Sequence, residues 1–252
     1  MVFGLYRLLK PHVSGRFLNS YCILITMRSE ITDRFIERQK ERDFPYIIEV
    51  LGLEIRVDRD VYPPSEDSTL LAEELENESY GIKPNERTLD FGTGTGYFAL
   101  VAARKGGNVV AVEVNPVSIQ CAMYNAQRNG LEERIEFREG SFETISLEEK
   151  YDVVAASLPF EAADPKDNFE RGVYDKDFET RREFFRRIKN HLTENGRIFF
   201  AYADYAEKVA PIVGFLEGFD YELISEKRSS HGELNRVYLI TLPSSGALGN
   251  YR

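Results

Sequence analysis

Cysteine is scarce. The 252-residue chain has two, Cys22 and Cys121, with neither metal-ligand spacing nor a disulfide framework, which excludes a small disulfide-stapled fold and fits a reducing cytosol. Long apolar runs are missing as well. No stretch approaches the ~20 residues of a membrane span, so the expected setting is cytoplasmic with no membrane partner. Low-complexity segments and internal repeats are absent. Acidic residues are missing from residues 1–28, which carry Arg7, Lys10, Arg16 and Arg28 for a local charge of +4. The formal net of −10 therefore leaves −14 for the remainder. An acidic body argues against unspecific binding to nucleic acid, where affinity comes mostly from phosphate neutralisation, but it allows a local basic patch that docks one structured RNA.

What is there reads as a globular protein: 42% hydrophobic and 29% charged residues. The basic N-terminal residues lack the clean amphipathic face of a transit segment, and Cys22–Met27 is too short for a signal-peptide core. The expected organisation is a basic arm over 1–28, or a native start at Met27, then a helix and small strands over 29–60. A main domain over 61–243 and a tail over 244–252 follow.

Hydrophobic periodicity predicts a charged helix over Glu30–Arg42 and a hairpin of Tyr46–Val50 and Leu53–Val57 around Leu51-Gly52. Pro63 and Pro64 hold an extended turn, and Ser65 caps a helix through Leu70, Leu71 and Leu75. From Thr88 strands and helices alternate. Strands are expected over Thr88–Phe91, Val109–Glu113, Arg134–Phe137, Tyr151–Ala156 and Arg197–Tyr202, and helices over Tyr97–Arg104, Asp177–His191 and Tyr205–Leu216. A further helix is capped by Asn115, starts at Pro116, turns Ile119, Met123 and Ala126 to one face and stops at Gly130. Tyr221–Glu226 and Val237–Leu242 close the chain as turn-linked strands. Alternation of this kind implies an α/β fold: a Rossmann-like, mostly parallel sheet with helices on both faces, an antiparallel strand at its end and a small N-terminal extension.

The segment Thr88-Leu-Asp-Phe-Gly-Thr-Gly-Thr-Gly96 sits between a strand and a helix, and the next strand ends in Glu113, seventeen residues after Gly96. Glycine is needed where the chain turns with positive φ or where backbone must approach a ligand, and an acid at the end of the second strand can accept both hydroxyls of a ribose. The pattern is D-x-G-x-G-x-G rather than the dinucleotide G-x-G-x-x-G. Asp90 before the first glycine would repel a pyrophosphate but suits a ligand carrying an ammonium and a sulfonium. On Asp90, Gly92, Gly94 and Gly96 the chain resembles the class I S-adenosylmethionine-dependent methyltransferases, whose fold has seven strands with the last reversed. The resemblance implies that Asp90, Gly92, Thr93, Gly94 and Gly96 face the methionine moiety, that Glu113 holds the ribose and that Asn115 orients that loop. Ser141 and Phe142 stand where relatives bind the adenine, with a plain turn-and-core role equally open.

Ser157-Leu-Pro-Phe160 follows the fourth strand of the alternation and resembles the [Asn/Asp/Ser]-Pro-Pro-[Tyr/Phe/Trp] motif of enzymes that methylate a planar amino group. In such a motif the first side-chain oxygen and the next backbone carbonyl accept hydrogen bonds from NH2 and draw its lone pair toward the methyl; proline stiffens the loop and the aromatic ring stacks on the acceptor. Leu158 replaces the first proline, and Ser157 the commoner Asn or Asp. Ser157, Leu158, Pro159 and Phe160 are thus the expected acceptor residues. Val61-Tyr-Pro-Pro-Ser-Glu-Asp-Ser68 resembles the segment that folds over the cofactor in release-factor glutamine methyltransferases and their relatives, which implies cofactor roles for Tyr62, Glu66, Asp67 and Ser68. With Ser first and an aromatic ring last, as in the Ser-Pro-Pro-[Tyr/Phe] form that recurs among cytosine-N4 enzymes, the resemblance at Ser157 and Phe160 implies cytosine N4, in ribosomal RNA or a ribosomal subunit. Arg171, Lys176, Arg181, Arg182, Arg186, Arg187 and Lys189 could meet its phosphates or form a solvated helix face. A protein glutamine and a catalytically silent cofactor-binding subunit are the alternatives.

Overall fold

The computed structural model describes residues 30–243 except 205 and 207–209. The basic arm, Cys22 and the tail fall outside the described residues. Helix α1 (Glu30–Lys40) leads to strands β1 (Tyr46–Val50) and β2 (Leu53–Val57), which pair as an antiparallel hairpin. Leu51 and Gly52 turn it with φ of 47° and 70°, the double left-handed geometry of a tight hairpin turn. Next come α2 (Glu66–Leu75), β3 (Arg87–Phe91), α3 (Tyr97–Arg104), β4 (Asn108–Glu113), α4 (Pro116–Arg128), β5 (Ile135–Glu139) and β6 (Tyr151–Ala156). The chain continues through α5 (Glu179–Ile188), β7 (Leu192–Ala203), β8 (Asp220–Arg228) and β9 (Leu234–Thr241).

Seven strands form one sheet in the order β5-β4-β3-β6-β7-β9-β8, parallel through β7, with β9 antiparallel to both its neighbours. This is the expected architecture. Alternate residues of the central strands feed two cores. Ala111, Val153, Ala155 and Phe199 pack under α2 and α3, while Leu89, Val110, Val154 and Phe200 pack against Phe184, Phe185 and Ile188 of α5. Burial on both faces is why these strands are continuously apolar. The chain leaves β3 toward β4 on one side and β6 lies on the other, so the carboxyl end of β3 is the switch point where open α/β sheets bind ligands.

Three local expectations need correction. The helix placed over Asp177–His191 is α-helical only across Glu179–Ile188. Asp177 and Phe178 have φ of 51° and 56°, because the Asp175 carboxylate accepts from the backbone N–H groups of Thr180 and Arg181 at 2.9 and 3.1 Å and starts the helix there. The helix placed over Tyr205–Leu216 falls partly outside the described residues. Pro211 is extended, with ψ of 132°, and only a 3-10 turn over Ile212–Gly214 follows. On α4 the buried face is Ile119, Ala122 and Ala126, while Met123 is 44% exposed.

Candidate active site

At the carboxyl ends of β3, β4 and β6 lies a cavity of about 810 Å3, within the range of about 300–1,000 Å3 usual for ligand pockets. Its two halves come from different parts of the chain. The glycine turn, Glu113, Asn115, Ser141 and Phe142 line one; Tyr62, Asp67, Ser157, Leu158, Pro159 and Phe160 line the other.

The three glycines do different work. Gly92 (φ 79°) has open space where a Cβ would stand, so any side chain there would project into the cavity. Gly94 (φ 54°) donates its N–H to Glu113 Oε2 at 3.0 Å. Gly96 (φ 86°) does not line the cavity; a Cβ on it would meet the Ala122 Cβ at 3.0 Å, so it serves the close packing of α3 on α4. Asp90 also lies behind the turn rather than in the cavity. Fully buried, it accepts from Thr93 Oγ1 at 2.6 Å and from the Ala99 N–H at 2.9 Å through one oxygen. It thereby ties the turn to the first turn of α3, whose own N-cap, Gly96, has no side chain to offer. Burial pushes the Asp90 carboxyl up to about 7, against the two hydrogen bonds that lower it.

Glu113 stands at the end of β4. Its Oε1 accepts from the Asn115 N–H at 2.9 Å and its Oε2 from Gly94, which fixes the carboxylate and leaves further lone pairs on both oxygens. Burial raises its pKa, opposed by these backbone donors. Asn115 caps α4 by accepting from Val117 N–H at 3.1 Å and donates to the Asp60 carbonyl at 2.9 Å, tying the loop before Tyr62 to the cavity wall. Phe142 lines the cavity, yet it is 2% exposed and packs at 4.6 Å centroid distance on Phe91, so its ring is held in the core. Ser141 lines the cavity beside it.

On the other half, α2 begins at Ser65. Ser68 accepts the Ser65 N–H at 2.7 Å, so its hydroxyl is engaged in the helix cap. Glu66 turns away and accepts from the N–H of Ser230 at 2.8 Å, outside the cavity. Asp67 points in: Oδ1 accepts from Ser65 Oγ at 2.5 Å and Oδ2 from Ser157 Oγ at 3.1 Å. Asp67 thus lines the same cavity as the glycine turn and Glu113, and its bond to Ser157 ties it to the Ser157–Phe160 loop. Leu158 is buried, and Phe160 sets its face edge-on to Tyr202 at 5.6 Å.

Arg181 belongs to this motif, which the sequence did not reveal. The charge pattern groups it with cations that could meet phosphates, but it is fully buried. Its guanidinium donates to the Pro159 carbonyl and to the Tyr202 hydroxyl, both at 2.6 Å, and lies over the rings of Phe178, Tyr202 and Phe215. A planar fork of donors fixes the Ser157–Phe160 loop from beneath. Arg187 is likewise occupied, over Phe142 at 4.7 Å. Arg171, Lys176, Arg182 and Arg186 do stand at the cavity rim and are exposed.

The Ser157 side of the cavity is roofed. Tyr62 packs on Phe35 of α1 and on Phe169 at 5.7 and 5.9 Å. Tyr174 donates to Asp33 at 2.9 Å, and Lys40 pairs with Asp167. Helix α1 is thus strapped across the loop that follows Ser157–Phe160. Among the described residues no group of acidic, histidine and cysteine side chains could hold a metal ion, and no helix is long and apolar enough to cross a membrane.

A family described as "Methyltransferase domain" matches residues 82–236, more than half of the chain and all of the sheet from β3 to β8. The chain belongs to this methyltransferase family. A Methanocaldococcus jannaschii protein provisionally named a protein N5-glutamine methyltransferase is 34% identical over 116 residues, 45% of this chain and 54% of that protein. The ribosomal protein L11 methyltransferase of Thermus thermophilus is 36% identical over 77 residues, 31% of this chain and 30% of its own length. The chain thus spans about half or less of these curated relatives. Among solved structures, the T. thermophilus 16S rRNA N2 G1207 methyltransferase in complex with AdoMet and guanosine aligns with a TM-score of 0.58 at 19% identity, over 79% of this chain and 50% of that one. That likeness is one of fold.

The residues of this methyltransferase domain fit S-adenosylmethionine. The side-chain-free edge at Gly92 lets a ligand approach the backbone, and the anchored Glu113 carboxylate keeps lone pairs for vicinal hydroxyls.

Proposed function

We propose that this methyltransferase moves a methyl group from S-adenosylmethionine to a planar amino nitrogen, with an exocyclic nucleobase amino group in RNA, foremost cytosine N4 of ribosomal RNA, as the acceptor. When bound, S-adenosylmethionine supplies an electrophilic methyl on a sulfonium whose leaving group is a neutral thioether. With so good a leaving group, the protein's task is alignment and exclusion of water. Glu113 and the glycine turn would hold the nucleoside. Ser157 and the Leu158 carbonyl would accept hydrogen bonds from the NH2 group, while Phe160 faces the flat acceptor.

The observation that carries this reading is that the Ser157 hydroxyl shares one cavity with Glu113 and the glycine turn. The rim supports RNA. Lys176 and Arg186 are paired with Asp164 and Glu183, whereas Arg171 and Arg182 make no side-chain ion pair among the described residues and are available to phosphates. A base would have to be single-stranded or flipped to reach a roofed cavity.

A glutamine side chain is the second reading. It is favoured by the M. jannaschii relative and by the Val61–Ser68 segment, and an amide NH2 presents the same two donors. Labelled S-adenosylmethionine with total RNA and total protein, followed by nucleoside and amino-acid analysis, separates them. Label in N4-methylcytidine is the expected result. Label in N5-methylglutamine would replace RNA by protein as substrate, and label on neither despite cofactor binding would leave a silent cofactor-binding subunit.

A further inference from the structure

We infer that Asp67 is a positioning residue for the acceptor: it holds the Ser157 hydroxyl proton, so that Ser157 presents only lone pairs to the cavity. The inference rests on the amino-methyltransferase reading and deepens it. A serine in place of Asn or Asp poses a chemical problem. The Asp carboxylate offers only acceptors and the Asn amide keeps its acceptor and donors on separate atoms, whereas a hydroxyl is donor and acceptor at one oxygen and can turn its proton toward the ligand. A Ser157 proton aimed at the incoming nitrogen would hydrogen-bond the lone pair that has to attack.

The fold removes that orientation. Asp67 Oδ2 takes the Ser157 proton at 3.1 Å, while Oδ1 is engaged by Ser65 Oγ at 2.5 Å. Ser65 and Ser68 lie within 3.1 Å of each other, so Asp67 is gripped by the first turn of its own helix. Both serine hydroxyls donate to it, the arrangement that a carboxylate without a proton requires. The free lone pairs of Ser157 then select a nucleophile that carries N–H bonds. A carbonyl or an unprotonated ring nitrogen placed at the same spot would meet lone pair against lone pair. Burial raises the Asp67 pKa, and the two hydroxyl donors oppose the rise. The titratable neighbour facing it is Tyr62, whose phenol is raised by burial and then by the Asp67 charge, with Glu161 beyond it contributing in the same direction. Asp67 and Ser157 are ninety residues apart in sequence, joined where the amino end of α2 meets the carboxyl end of β6.

The test is a double-mutant cycle on the full chain with labelled S-adenosylmethionine and total RNA or total protein, whichever takes label, with cofactor affinity measured by calorimetry on the same proteins. Asp67→Ala should lower kcat by about tenfold or more, the scale of one lost hydrogen-bonding group in a preorganised site, and leave the cofactor Kd within about twofold. Ser157→Ala should cost a similar factor, and the double variant no more than either single one. Asp67→Asn, which can still accept from Ser157, should recover most of the rate. Multiplying losses, or a raised cofactor Kd with kcat retained at saturation, would overturn the inference while leaving the methyltransferase reading standing. A second measurement needs no turnover. By NMR titration of the Asp67 carboxyl group, Ser157→Ala should move its pKa upward through loss of a donor to the charged form, and an unmoved pKa would overturn the inference whether or not an acceptor is known.

Discussion

Asp90, Gly92 and Gly96 share one short motif, and the folded chain gives them separate tasks. Gly92 borders the ligand space, Gly96 admits Ala122, and Asp90 is buried beneath the turn it fixes. Spacing alone identified the motif but not this division, because whether a motif residue faces cavity or core depends on where α4 packs on α3. The burial of Asp90 has a consequence for stability. Its folded pKa, about 7, lies above the ordinary carboxylate value, so the native state holds the proton over a range where the unfolded chain has lost it. Stability contributed at this site is therefore greatest at low pH and declines between about pH 4 and pH 7. Asp90→Asn can still accept the Thr93 and Ala99 bonds and has no proton to lose. Urea unfolding at pH 5 and pH 8 should show a smaller loss of stability with rising pH in the variant than in the parent. Parallel losses in the two proteins would place the titrating group elsewhere.

Helix α5 shows how an element's position rather than its existence decides its function. Its charge pattern reads as a solvated face, and Arg182 and Arg186 are exposed on it. Arg181 is rotated inward because the helix starts at the Asp175 cap after two left-handed residues, a register that local periodicity does not specify. Once inside, Arg181 joins α5 to the Ser157–Phe160 loop and to β7 through Pro159 and Tyr202. Arg181→Lys keeps the charge but not the planar fork, and leaves either the Pro159 carbonyl or the Tyr202 hydroxyl short of a donor. The expected outcome is a loss of about 2–3 kcal/mol in unfolding stability, a lower rate of transfer and an unchanged cofactor affinity. A stability equal to that of the parent would show that the guanidinium is not the clamp.

At the scale of the whole molecule, strand alternation made the sheet, its reversed strand and the place of the ligand cavity legible, because doubly buried parallel strands are written as continuous apolar runs. The roof was not legible. Helix α1, the loop after the acceptor motif and Tyr62 meet through contacts far apart in sequence, such as Asp33 with Tyr174, and no local pattern announces such contacts. In the proposed site the glycine turn and Glu113 hold the nucleoside of S-adenosylmethionine, and any acceptor has to be aligned against it. Calorimetric titration of S-adenosylmethionine into the full chain and into Glu113→Ala reads that site without needing an acceptor. Saturable one-to-one binding is expected, weakened by about tenfold in the variant, ~1–2 kcal/mol for lost hydrogen bonds to a charged group. Absence of binding to the parent, or equal affinity in the two proteins, would contradict it.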